Sequence, residues 1–155
     1  MTTSINQRSL YQQVILKHSK KPRHRGKTNL VHGYHRGHNP MCGDTIELTV
    51  QLNQTGDRIS DVKFEGEGCA IAIASADLMA DAVCGKSIEE ALSMVQRFRG
   101  MVMRQELFPE DMRKLNILQG ISQFPVRIKC ATLSWHTLKA VLESPQVTAP
   151  TGERE

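Results

Sequence analysis

A chain of 155 residues, 39% hydrophobic and 23% charged, is long enough to bury a core without disulfides and lies far from the composition of a disordered polymer. The net charge of +4 is modest and only 5% of residues are aromatic, which leaves a nucleic-acid binder built on stacking platforms as a minor reading. The longest apolar run, Cys69 to Ala76, stops at Asp77, and no charged-then-apolar leader opens the chain, so no membrane association and a cytoplasmic location are expected. One domain over residues 1–155 is expected, with an ordered core at about 9–143 and flexible termini at 1–8 and 144–155.

Leu10, Tyr11, Val14, Ile15 and His18 recur at helical spacing, which predicts a helix from about Ser9 to Lys20, ended by the Lys-Lys-Pro at Pro22. A loop rich in Gly, His and Arg follows. Lys17, Lys20, Lys21, Arg23, Arg25 and Lys27 crowd together around its start and read as a solvated basic surface. His32, His35 and His38 at three-residue spacing invite a second metal site, but Gly33, Arg36 and Gly37 around them favour a solvated loop or edge.

Ile46, Leu48, Val50 and Leu52 alternate with polar residues and predict a half-buried strand. Asn53 to Asp57, with Gly56, predicts the turn into a returning strand at Ile59 to Phe64, which Gly66 and Gly68 stop. Ala70 to Val83 predicts a helix closed by Gly85. Ser87 and Glu90 form a capping box that opens a helix carrying Ala91, Leu92, Met94, Val95 and Phe98. A short helix between loops is expected within Gly100 to Gly120, and a last helix from Pro125 through Cys130 to Leu142. The order implies an α+β fold, a small antiparallel sheet with helices packed on one face.

In a reducing compartment four cysteines are more readily metal ligands or reactive thiols than disulfides. Cys42-Gly43-Asp44 puts a thiolate and a carboxylate two positions apart, on the same face of an extended backbone, with a glycine that can bend around an ion. Cys69 opens a predicted helix, where unpaired N–H groups favour a thiolate, and Cys130 lies near the start of another. Cys84 is about 22 Å from Cys69 along one helix at 1.5 Å per residue, so the two cannot share a metal. At the negative end of that helix Cys84 reads as a small packing residue. The remaining set of Cys42, Asp44, Cys69 and Cys130 can close a tetrahedron around zinc, with a working site and a purely structural one both open.

Three stretches resemble the U-type iron-sulfur assembly family: Asn39-Pro40-Met41-Cys42-Gly43-Asp44, then Phe64-Glu65-Gly66-Glu67-Gly68-Cys69 leading to Ala74-Ser75-Ala76, and Phe124-Pro125-Val126-Arg127-Ile128-Lys129-Cys130-Ala131-Thr132-Leu133-Ser134-Trp135. The resemblance runs from about Leu10 to Leu142 and implies a SufE/NifU-like fold, with Cys42, Asp44, Cys69 and Cys130 on the metal-ligand positions. Lys129 in place of a histidine before Cys130, and an insertion around Met101 to Gly120, resemble the SufU kind rather than the IscU scaffold.

That resemblance implies a zinc-dependent sulfur acceptor working with a SufS-type cysteine desulfurase and passing sulfur to a downstream Suf cluster-assembly complex. Cys42 would be a masked thiolate until the docked desulfurase frees it, a partner histidine taking the vacated place, and would then attack the outer persulfide sulfur. Arg127, three residues before Cys130, is placed either to pair with Asp44 or the freed thiolate, or to be a plain surface cation. The alternative is a scaffold that binds iron or a [2Fe-2S] cluster on the same ligands, and the rival from another class is a basic zinc module on nucleic acid.

Overall fold

The computed structural model describes residues 3–104 and 107–143. The elements run α1 (Thr3–Lys20), β1 (Gly33–Asn39), β2 (Asp44–Leu52), β3 (Ile59–Glu67), α2 (Ala70–Val83), α3 (Ile88–Arg104), a 3-10 stretch (Glu110–Gln123) and α4 (Pro125–Leu142). The three strands form one antiparallel sheet in the order β1-β2-β3, with Asn39 opposite Asp44 and Leu48 opposite Phe64. Ile46, Leu48, Val50, Val62 and Phe64 are fully buried under α2 and α4, as the period-two pattern requires of a sheet covered on one face. Part of the other face is crossed by the segment after α1, where Thr28 N–H donates to Thr49 Oγ1 (3.0 Å) and Leu30 N–H to Gln51 Oε1 (3.1 Å).

The sequence expectation of two strands is corrected to three. Gly33–Asn39 has no apolar alternation, because this edge strand exposes Tyr34, His35, Arg36 and His38 and is held by main-chain pairing rather than by burial. His32 and His38 are engaged one by one: His32 Nδ1 accepts from Leu52 N–H (3.0 Å), and His38 Nδ1 lies 2.9 Å from Thr45 Oγ1. β3 continues through Gly66, whose φ of +135° and contact with the Thr45 carbonyl leave no room for a Cβ. Its glycine marks a close approach, not a stop.

α1 begins at Thr3 rather than Ser9, so residues 3–8, expected as part of a flexible terminus, are helical. The polar run before Leu10 carried no periodic signal for it. The expected termini at 1–2 and 144–155 lie outside the described residues. α2 has the predicted bounds, and Gly85 follows it at φ +87°. The capping box forms both ways, Ser87 N–H to Glu90 Oε1 (2.9 Å) and Glu90 N–H to Ser87 Oγ (3.0 Å). α3 then passes through Gly100, and the stretch read as one short helix is its last turn plus 3-10 turns broken at Met112.

α4 fixes the site's third side. Trp135 is buried, stacked on Phe98 at 4.5 Å, and donates from Nε1 to Ser75 Oγ (3.2 Å), which itself donates to the Ala131 carbonyl (2.6 Å). α2 and α4 are thereby locked in one register. A second lock joins α1 to α2: Asp77, with no exposure, meets His18 Nδ1 at 2.6 Å and accepts His24 N–H at 2.9 Å. An aspartate inside an alanine-rich helix is tolerable only with such partners.

Candidate metal centre

The β1–β2 connection is a tight turn in which Cys42 and Gly43 N–H both reach the Asn39 carbonyl, at 3.3 and 2.9 Å, and Gly43 has φ +72°. Cys42 and Asp44 therefore come together through a turn, not through the extended backbone assumed from their spacing. Cys69 is the N-cap of α2, and its N–H donates to Asp44 Oδ1 (2.9 Å). Cys130 stands in the second turn of α4, near its start as expected, and is 1% exposed.

One ligand atom each from Cys42, Asp44 and Cys130 lie within 4.8 Å of one another. Cys42 Sγ is 2.7 Å from Cys130 Sγ, and both are free thiols. Cys69 falls outside that tightest group but next to it: burial first, then Cys42, Cys69 and Asp44, push the Cys130 thiol far above the ordinary thiol range. Three sulfurs and a carboxylate thus crowd one site.

Asp44 tests whether a metal fits. It is wholly buried, Oδ1 takes the Cys69 N–H, and Oδ2 has no hydrogen-bond partner. A buried carboxyl oxygen left without a partner beside three thiols is costly unless something completes it, and a bound cation does so. Sulfur-rich donors with one oxygen suit a tetrahedral, thiophilic ion. The residues fit.

Arg127 is exposed on the first turn of α4, and no ion pair joins it to Asp44 among the described residues. Its neighbour Lys129 is exposed too, with Nζ 3.9 Å from Met41 Sδ. The six basic residues from Lys17 to Lys27 are all exposed, though Arg25 is pinned, 5.4 Å over the Phe64 ring and bonded to the Gly66 carbonyl at 3.2 Å.

Gly68 backs the carboxylate, and a Cβ there would come 2.8 Å from Asp44 Oδ1. Gly68→Ala is expected to push Asp44 off its position and weaken metal affinity about tenfold or more, as loss of an outer-shell support does. Competition against a chromogenic chelator reads this, and unchanged affinity in the folded variant refutes it.

Sequence reasoning missed two features. Nothing in the spacing joined His18 to Asp77. Nor did it place Cys84 beside His24 and Asp61, where one ligand atom from each again lies within 4.8 Å. Burial first, then Asp61 and Asp81, push the Cys84 thiol up, so it is held as a thiol packed against the core.

The fold is a three-stranded antiparallel sheet backed by helices, with a Cys/Asp cluster between the β1–β2 turn, the start of α2 and α4. The chain belongs to the NifU-like N-terminal domain family, whose sequence model it matches over residues 10–141. It is 47% identical over 142 residues to the zinc-dependent sulfurtransferase SufU of Bacillus subtilis, covering 90% of this chain and 93% of that protein. It is 43% identical over 135 residues to the iron-sulfur cluster assembly scaffold protein IscU of Streptococcus pyogenes, covering 86% and 83%. The crystal structure of a candidate SUF-system scaffold protein from Fervidobacterium islandicum superposes with a TM-score of 0.79 at 34% identity, covering 87% of this chain and 98% of that one.

Proposed function

We propose that this protein is a zinc-dependent sulfur acceptor in iron-sulfur cluster assembly, taking persulfide sulfur from a cysteine desulfurase on Cys42. The observation that carries the reading is the buried Asp44 carboxyl, with Oδ2 unpartnered and one oxygen within 4.8 Å of the Cys42 and Cys130 sulfurs. Similarity to a zinc-dependent sulfurtransferase supports it. Cys42, Asp44, Cys69 and Cys130 would hold the ion, which when bound keeps their sulfurs as thiolates at neutral pH.

Cys42 is the ligand placed to react, since it lies in the turn at the surface while Cys69 caps α2 and Cys130 is buried on α4. Its thiolate attacks the outer sulfur of the desulfurase persulfide. A new S–S bond forms on Cys42, the old one breaks, and the desulfurase cysteine leaves as a thiolate with no net redox change. Met41, Phe124 and Val126, exposed on the turn and the start of α4, offer apolar surface for the docked partner. Arg127 on the same turn of α4 supplies a cation near the persulfide anion.

The rival is a scaffold holding a [2Fe-2S] cluster on the same ligands, favoured by similarity to the Streptococcus pyogenes IscU. The two separate in one sample. A sulfur acceptor purified without added metal carries zinc and raises alanine release by a cysteine desulfurase. Absence of that stimulation, with stable visible absorption after supply of iron and sulfide, overturns the acceptor reading.

A further inference from the structure

The outer edge of β3, away from β2, is covered at both ends by other segments. At one end Phe64 N–H donates to the His24 carbonyl (2.9 Å) and Gly26 N–H to the Phe64 carbonyl (2.8 Å). At the other, Ile59 N–H donates to the Lys86 carbonyl (2.9 Å) and Gly85 N–H to the Ile59 carbonyl (2.8 Å). The cover breaks between them, and there Val62 N–H is taken by the Asp61 side chain (2.9 Å). His24 and Cys84, each adjoining one covering segment, meet Asp61 at this break, one ligand atom from each within 4.8 Å.

We propose that His24, Asp61 and Cys84 form a second site for a thiophilic late first-row divalent cation, zinc in the first instance, separate from the Cys42 centre. Nitrogen, oxygen and sulfur donors in one cluster select this class of ion over magnesium or calcium. The imidazole carries the independent observation. His24 Nε2 lies 3.4 Å from Asp81 Oδ1, and Nδ1 is buried with no hydrogen-bond partner. A carboxylate can only accept, so the neutral tautomer that fits this contact carries its proton on Nε2 and its lone pair on Nδ1. This is the carboxylate-to-histidine arrangement that orients an imidazole toward a metal.

All three residues are partly exposed, so an ion can reach the cluster and a water can complete the tetrahedron. One carboxylate and one thiolate cancel the charge of a divalent ion. Lys63 Nζ, 3.9 Å from Asp61 Oδ2, and Arg23 Nη1, 4.0 Å from Asp81 Oδ1, are the cations a metal must compete with. Both ion pairs are long and solvated and hold little.

Titrating the full chain, loaded with only one equivalent of zinc, with Co2+ tests the site. The expected result is one further saturable equivalent with the near-ultraviolet charge-transfer absorption of a single cobalt-bound thiolate. Cys84→Ala is expected to abolish that band, and His24→Gln to weaken binding about tenfold or more, both variants remaining folded by circular dichroism. If the Cys42 centre failed to hold zinc, Co2+ would also enter that centre and give a stronger, multi-thiolate band insensitive to Cys84→Ala. The two readings thus fail independently. Absence of any Cys84-dependent band in the wild-type chain, or a band undiminished in either variant, overturns the second site.

Discussion

Replacing Cys130 with alanine is expected to remove about one zinc ion per chain, the one held at the Cys42 centre, and to lower the melting temperature by about 10 °C. Cys130 is 1% exposed and its sulfur reaches both Cys42 and Asp44, so no other side chain can move in to replace it. An ion present at a thousand times its dissociation constant stabilises the folded state by about 4 kcal/mol. For a chain of this length each kcal/mol corresponds to about 2–4 °C. The metal-free site adds to the loss, because it leaves Asp44 Oδ2 buried without a partner. A strong chelator should lower the wild-type melting temperature by a similar amount and move Cys130→Ala far less. Wild-type protein that melts at the same temperature with and without chelator would contradict the ligand assignment.

What could be read from the sequence divides along a physical line. The bounds of α2, the Ser87–Glu90 capping box and the β2–β3 hairpin were legible because each is set by residues within a few positions: apolar periodicity, a reciprocal side-chain cap, and Asn53 Oδ1 accepting the N–H groups of Gly56, Asp57 and Arg58. β1 was not legible. It is exposed along most of its length, so its pairing with β2 left no mark on residue type. The four candidate ligands were proposed through residue type and helix position, yet one reason given for them differs from the structure. Cys42 meets Asp44 through a turn, while Cys130 stands near the start of α4 as expected.

Cys84 shows where local reasoning runs out. Its distance along α2 keeps it from Cys69, and packing against the core agrees with a small apolar role. Its neighbours His24 and Asp61 arrive by main-chain bonds from Phe64 and Ile59 across the chain, and no window of sequence contains them together. The same holds for His18, whose helical spacing placed it on the buried face without revealing that Asp77 waits there. Long-range polar partners are specified by the whole fold rather than by either segment.

Cys42→Ala is expected to abolish stimulation of a cysteine desulfurase while the chain stays folded. The substitution removes a partly exposed side chain from a turn whose main-chain bonds to Asn39 do not involve the thiol. Asp44, Cys69 and Cys130 remain, with water able to fill the fourth place, so zinc binding is weakened rather than lost. This separates the variant from Cys130→Ala, in which metal and stability fall together. The expectation rests on the setting of each cysteine, since Cys42 and Cys69 are both partly exposed and only Cys130 is buried. Cys42 adjoins Met41, which is 68% exposed at the tip of the turn, whereas Cys69 is tied through its N–H to Asp44 and Cys130 is enclosed by α4. A partner's persulfide can therefore approach Cys42 without unfolding either helix. Incubating the zinc protein with desulfurase and cysteine, alkylating the thiols and mapping the modified peptides should place the added sulfur on Cys42. Sulfur found on Cys69 or Cys130 with Cys42 unmodified would show the acceptor to be another ligand, and desulfurase still stimulated by Cys42→Ala would show the same by rate.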